Sequence, residues 1–180
     1  MNYIIETILD LLFPRRCPVC GQIIMPKGNL ICPGCIRKLS WVRGPVCKCC
    51  GKEIISETAE YCSDCAIHPR SFPMGWRCLT IMKFQAPSLA KIKYHNHREY
   101  LDFYAEAAYR KYAARIARLS PDLIIPVPVH KSRMKKRGFN QAEEFGKRLS
   151  HYLEIPMNSS LLIRSKKTVP QKDLGPALRP

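Results

Sequence analysis

Cys17-Pro18-Val19-Cys20 is followed after eleven residues by Cys32-Pro33-Gly34-Cys35, and Cys47-Lys48-Cys49-Cys50 is followed after eleven by Cys62-Ser63-Asp64-Cys65. One paired-cysteine unit thus occurs twice, offset by thirty residues. Its flanks repeat too: Cys20-Gly21-Gln22-Ile23-Ile24 is echoed by Cys50-Gly51-Lys52-Glu53-Ile54-Ile55, the mark of a duplicated unit. Two residues between cysteines let a tight turn aim both sulfurs at one ion. A second such turn completes a tetrahedron at metal–sulfur distances of about 2.3 Å. Gly21 and Gly51 stand one residue past each leading pair, where such a knuckle often needs a positive φ. Neither half is long enough to bury a core, so a bound ion must supply the folding energy, roughly 10–16 kcal/mol per structural site in peptides.

Cys17, Cys20, Cys32, Cys35, Cys47, Cys50, Cys62 and Cys65 are therefore the candidate ligands of two structural zinc ions. Four thiolates per ion leave no open coordination position, which sets a catalytic role aside. The duplication favours one ion per repeat; a cross-braced pairing, in which knuckles one and three share an ion, satisfies the same spacing. Disulfides, a redox dithiol and an iron–sulfur cluster compete for the same residues. A redox dithiol lacks its βαβ surroundings, and paired knuckles favour zinc over a cluster. Cys49 and Cys78 fall outside the pattern and read as spare thiols.

Ahead of the array, Ile4, Ile5, Ile8, Leu9, Leu11, Leu12 and Phe13 form an apolar stretch that Glu6 and Asp10 interrupt and Pro14-Arg15-Arg16 ends. It has neither the basic leading region nor the small-residue cleavage site of a secretory signal, and it is too short to span a bilayer. An amphipathic helix over residues 1–16, docked on the rest of the protein, is expected, with no transmembrane segment. A cytoplasmic, reducing setting then favours metal over disulfides. Lys plus Arg number 30 against 14 Asp plus Glu, a net charge of +16. Such an excess calls for an anionic partner: a phosphate ligand, nucleic acid or an anionic membrane.

Beyond a proline-bounded linker at His68-Pro69-Arg70-Ser71-Phe72-Pro73, the pattern changes. Trp76 to Phe84 reads as a strand and Ser88 to Tyr94 as a short helix. Asn96-His97-Arg98-Glu99 has the form of a helix start, with Asn96 as cap and Glu99 reaching back. Leu101, Tyr104, Ala105, Ala108, Tyr112, Ile116 and Leu119 follow at helical spacing to about Ser120, their aromatics expected in the core. His95 and His97 read as exposed. Leu123-Ile124-Ile125 reads as a short buried strand ended by Pro126 and Pro128. The next stretch, His130 to Gln141, reads as a basic loop holding Lys131, Arg133, Lys135, Lys136 and Arg137. Asn140 with Glu143 opens a further helix with Ala142, Phe145, Leu149 and Leu153 as its apolar face, and Leu161-Leu162-Ile163 is another apolar run. This alternation indicates an α/β sheet. A basic loop between a strand end and a helix N-terminus is physically suited to phosphate, because cations, backbone N–H groups and a favourable dipole converge there. Glu143 and Glu144 weaken that field, and a solvated charge run is the plain alternative.

The leading Leu12-Phe13-Pro14-x-x-Cys17, the double cysteine array, Lys93-Tyr94-His95-Asn96-His97-Arg98-Glu99-Tyr100, Pro126-Val127-Pro128-Val129, Arg137-Gly138-Phe139-Asn140-Gln141 and Gln171-x-x-Leu174 together resemble the ComF family. These are competence-associated proteins with an N-terminal double zinc ribbon and a type I phosphoribosyltransferase domain, and the resemblance covers essentially the whole chain. It implies an α/β fold: an amphipathic helix at 1–16, a double zinc ribbon at 17–68, and at 74–180 the N-terminal part of a phosphoribosyltransferase-like parallel sheet with helices. It also implies 5-phosphoribosyl 1-pyrophosphate (PRPP) or ribose phosphate as ligand, with Mg²⁺ as companion. By position, Lys131, Arg133 and Arg137 face pyrophosphate, Gly138 and Asn140 shape the turn, and Gln141 closes the motif. Arg164, Thr168 and Gln171 match the family's Arg-x-x-x-Thr-x-x-Gln element.

One departure matters. Type I phosphoribosyltransferases carry two adjacent acids and a Thr/Ser- and Gly-rich loop after a hydrophobic strand, and no such string occurs here. A chain that stops at Leu178-Arg179-Pro180 before that loop is expected to be a truncated or split product. By itself it is then expected to be catalytically poor, since the loop supplies both binding and electrostatic stabilisation of the leaving group. The implied role is in DNA uptake, with single-stranded DNA or a competence helicase as partner. The alternative is a zinc-ribbon module that binds single-stranded nucleic acid or a protein partner without enzyme activity.

Overall fold

The computed structural model describes residues 8, 11–68, 72, 74–80 and 85–168. The chain divides into two compact units, Met1–Lys111 and Tyr112–Pro180.

In the first unit the duplication of the sequence is repeated in the hydrogen bonds. Cys17 N donates to Gln22 O and Gly21 N to Cys17 O; thirty residues on, Cys47 N donates to Lys52 O and Gly51 N to Cys47 O. A single antiparallel bridge follows in each half, Arg16 with Ile23 and Val46 with Glu53. The trailing cysteine pairs lie on short helices, α1 (Pro33–Ile36) and α2 (Ser63–Ile67), with Cys32 and Cys62 as their N-caps. Pro33 suits the first helical position, where its missing N–H is not needed. The ribbons are thus held by turns rather than by continuous strands.

Helix α3 (Gln85–His95) and the part of α4 (Tyr100–Leu119) up to Lys111 complete this unit. Phe103 and Ala107 of α4 are buried in one cluster with Cys17, Ile24, Ile31, Cys35 and Leu39 of the first ribbon, with Trp41, Leu79 and Tyr104 packed against it. Ser88, fully buried on α3, shares a 2.7 Å hydrogen bond with Tyr104 Oη. The front of α4 therefore belongs to the core of the ribbon, which is why the first compact unit extends well past the linker. The aromatics assigned to the apolar face, Tyr104 and Tyr112, are only half-buried and Leu119 of that face is exposed, while Tyr100 and Phe103, not assigned to it, are buried.

Several expectations change at this level. Asn96 does not cap α4: its φ is +58°, and its side-chain oxygen accepts from Arg98 Nε at 2.7 Å. Glu99 meets His97 Nδ1 at 2.8 Å instead of reaching back to the backbone. His97 is not fully exposed but stacks on Tyr100, with centroids 4.9 Å apart. Of the stretch read as a strand from Trp76, residues 78–80 pair with 40–42 around the bridge Trp41–Leu79, and 81–84 lie outside the described residues. Most of the expected helix at 1–16 also lies outside them. Residues 8, 11 and 12 are helical, but Ile8, Leu11, Leu12 and Phe13 are exposed rather than docked.

The second unit carries α5 (Lys131–Arg137) and α6 (Gln141–Leu153). The parallel sheet reduces, among the described residues, to one parallel bridge between Ile124 and Met157. Ile124 N donates to Pro156 O at 2.9 Å and Asn158 N to Ile124 O at 3.0 Å. Pro126 and Pro128 lack the N–H that would extend the pairing. Leu161-Leu162-Ile163 forms no strand and is exposed. Helix α6 packs on the bridge through Gly146, which is buried. A Cβ there would stand 2.9 Å from Met157 Sδ and 3.6 Å from Ile124 Cγ2.

Candidate functional site

Cys17, Cys20, Cys32 and Cys35 form one group and Cys47, Cys50, Cys62 and Cys65 a second, with the sulfurs of each group all within 4.8 Å of one another. The pairing is sequential, one group per repeat, and the cross-braced alternative is not adopted. Cys20 and Cys32 sulfurs are 3.9 Å apart, and Cys50 and Cys62 sulfurs 3.8 Å. A tetrahedron with metal–sulfur bonds of about 2.3 Å has edges of about 3.8 Å, so both groups fit structural zinc.

Electrostatics explains why a cation belongs there. Burial pushes Cys17 up, but N–H groups of Cys32, Cys20 and Val19 turned toward its sulfur outweigh this and bring it down to about 7. In the second group burial acts in the same direction on Cys47, and the N–H groups of Cys50, Cys62 and Cys49 take it down to about 6. Their neighbours go the other way. Burial first, then the adjacent sulfurs Cys17 and Cys20, push Cys32 up to about 12, and Cys35 rises to about 11 for like reasons. Burial and the surrounding thiols raise Cys65 as well. Each cluster accommodates one negative charge readily and resists the rest, and a dication removes that conflict.

Cys49 and Cys78, read as spare thiols, belong to neither group. Cys49 is nonetheless packed against Cys47, Cys62 and Cys65. That neighbourhood was missed in the sequence, although its signal, a third cysteine inside the knuckle Cys47-Lys48-Cys49-Cys50, was in plain view.

The basic stretch is placed differently from the loop expected. Lys131 to Arg137 form the helix α5, capped at its start by His130 Nδ1, which accepts from Ser132 N at 3.2 Å, and ended by Gly138 at φ +79°. Successive helical residues turn by about 100°, so Arg133 and Arg137 share one face while Lys131 points to the other. Arg133 and Arg137 are half-buried, and Lys131, Lys135 and Lys136 are exposed. Arg137 donates to Gln141 Oε1. Asn140 is buried: its oxygen accepts from Ala142 N at 3.1 Å to cap α6, and its amide donates to Val127 O at 3.0 Å. The Asn140 half of the expected capping box is thus present, while Glu143 turns to Lys147 at 3.2 Å.

Thr168 receives two cations. Arg133 Nη2 donates to its carbonyl at 3.4 Å, and Arg164 donates to its hydroxyl. Gln171, the remaining residue of that element, lies outside the described residues, as does Leu174. No described helix is long and apolar enough to cross a membrane.

Residues 8–66 match the family model for a double zinc ribbon domain. The chain is 29% identical over 170 residues to competence protein F of Haemophilus influenzae, covering 91% of this chain and 71% of that relative. It is 23% identical over 165 residues to competence protein ComFC of Bacillus subtilis, covering 81% of this chain and 63% of that relative. No solved structure matches the chain. Two tetracysteine ribbons at the expected residues, followed by alignment to these two competence proteins over most of its length, make this chain similar to the ComF family.

Proposed function

We propose that this protein works in DNA uptake, in the cytoplasm, and that its second unit binds a phosphoribosyl ligand. The competence role is supported by the two relatives, both named as competence proteins. The observation that carries the ligand is the convergence of Arg133 and Arg164 on Thr168. Two guanidinium groups brought to one short segment offer the bidentate donors that phosphate oxygens take best. Arg137 and Gln141, already joined, border the same face of α5. Gly138 gives the left-handed turn that lets α5 end there, and Asn140 ties Val127 to the start of α6.

The parallel pairing of Ile124 with Met157, with α5 and α6 in the crossover between them, supports a phosphoribosyltransferase-like α/β arrangement in the second unit. Ligands of such sheets sit beyond the strand ends. Mg²⁺ would accompany PRPP and offset the charge of its phosphates. These 180 residues contain neither an Asp-Asp pair nor a Thr-Thr-Gly string, so on this reading they bind the ligand without turning it over. A second reading, nucleic-acid binding without enzyme activity, has the exposed Lys135 and Lys136 in its favour.

Titration calorimetry with PRPP and Mg²⁺ tests the ligand. Saturable binding is expected, weakened on the order of tenfold by Arg133→Ala or Arg164→Ala, since a charge-assisted hydrogen bond contributes about 1.5–3 kcal/mol, with zinc content unchanged. Absence of any heat or competition from PRPP and from ribose 5-phosphate would overturn it.

A further inference from the structure

The two ribbons are duplicates in backbone and opposites in charge. From Arg15 to Gly44 the chain carries Arg15, Arg16, Lys27, Arg37, Lys38 and Arg43 and no acid at all. From Pro45 to His68 it carries Lys48 and Lys52 against Glu53, Glu57, Glu60 and Asp64. Four thiolates around a divalent ion add the same net charge of minus two to each half, so the asymmetry survives metal binding. It also survives ion pairing. Arg15 is taken by Asp102 at 2.7 Å, but Lys27, Arg37, Lys38 and Lys93 have no carboxylate partner among the described residues, and all four are exposed. In the second ribbon Lys48 is held by Glu60.

Arg16, Lys91, Arg37 and Lys38 stand about one tetracysteine site. Arg16 lies over the first knuckle, donating to Gly21 O at 3.2 Å. Lys91 of α3 comes to the same place: its ammonium is 3.5 Å from where a Cβ on Gly21 would sit. Arg37 and Lys38 directly follow α1, which carries the second knuckle. The tetracysteine site draws those two knuckles together, so cations from three segments flank a single ion. Between Lys91 and Lys93 on one side and His95 on the other, Tyr94 holds an exposed ring.

We infer that the first ribbon, together with α3, is a binding face for single-stranded nucleic acid, and that the second ribbon is not. A track of cations neutralises the phosphate chain, and an aromatic ring standing among them offers a base a stacking surface. This assigns nucleic-acid contact to the first ribbon rather than to α5, and it rests on the DNA-uptake part of the proposed function but not on the phosphoribosyl part. An anionic lipid surface is the rival occupant, because Ile23 and Met25 are also exposed on this hairpin. Ile8, Leu11, Leu12 and Phe13 ahead of it are exposed as well; what favours nucleic acid is the Tyr94 ring among the cations, a stacking surface that a lipid headgroup does not use.

The test is fluorescence anisotropy of a labelled oligothymidylate with the full, zinc-loaded chain, read across a salt series. Wild type is expected to bind with strong salt dependence. The double variant Arg37→Glu, Lys38→Glu should lose on the order of tenfold or more in affinity, and its log–log salt slope should become shallower by about 1.4, two contacts at about 0.7 each. Tyr94→Ala should lose on the order of tenfold at every salt concentration, because stacking is not a charge effect. Zinc content of two per chain in each variant shows that the ribbons are intact. Loss of binding in Lys135→Glu, Lys136→Glu with none in the ribbon variant overturns this assignment while leaving the DNA reading in place. No binding by wild type at low salt overturns both. Capture by phosphatidylserine vesicles, lost in the Arg37/Lys38 variant, with no affinity for the oligonucleotide, makes the face a lipid site and overturns the inference.

Discussion

The first ribbon shares its core with helix α4, whereas the second, among the described residues, has little inside it but sulfur. Cys17 and Cys35 are buried in company with Ile24, Ile31, Leu39, Phe103 and Ala107. Cys47, Cys62 and Cys65 form a cluster whose partly buried neighbours are Cys49, Cys50 and Ile54. Two copies of one metal-binding turn therefore depend on metal to different degrees. Apolar burial, at about 25 cal/mol per Å², stabilises the first copy alongside its ion. In the second copy coordination is nearly the whole of the folding energy.

The sharpest way to break this comparison is to remove the metal. Elemental analysis should find two zinc ions per chain. On chelation, amide protection across residues 45–68 should vanish, while α4 amides near Phe103 and Ala107 keep part of theirs; equal loss in both ribbons would show that the helix contributes nothing to the first. The converse perturbation is Phe103→Ala, expected to cost about 3–5 kcal/mol. By denaturant melts and zinc-release rates, it should loosen the first ion and leave the second untouched. Smaller, and opposite in direction, is the effect expected at the knuckle glycines. Both have positive φ, at +75° for Gly21 and +67° for Gly51, where an L-residue costs about 1–2 kcal/mol. A Cβ on Gly21 meets only the flexible end of Lys91, but one on Gly51 would stand 2.6 Å from Gly75 O and 2.9 Å from Arg77 N. Gly51→Ala should therefore lose a further ~1–3 kcal/mol through overpacking, and Gly21→Ala should not. Zinc-release half-lives of the two variants check the ranking.

What the sequence made legible follows the range of the forces involved. The eight ligands, their sequential duplication and the Asn140 cap are set by neighbours within a few residues, and they can be read from spacing. The capping motif at Asn96 has the same letters and a different outcome, because α3 ends only one residue before it and Asn96 takes the left-handed turn between the helices. The basic stretch after Val129 read as a loop because its charge suggested solvent. His130 at its start and Gly138 at its end are helix signals that bound a single short helix. Least legible was the sharing of the first ribbon's core with α4. Phe103 and Ala107 lie more than sixty residues from Cys35, and nothing local marks one ribbon as the partner of a helix and its copy as solitary. The charge contrast between the ribbons, by comparison, needed only a count within each repeat.

Asn140 fastens two ends of the second unit with one side chain, its oxygen on Ala142 N and its nitrogen on Val127 O. Everything from Pro128 to Gly138 is therefore an excursion that leaves and returns at a fixed gate. Its length, helicity and cation pattern are free to diverge among descendants of this fold without shifting the strand end or the following helix. Carboxylate in place of that amide would keep one clasp and open the other.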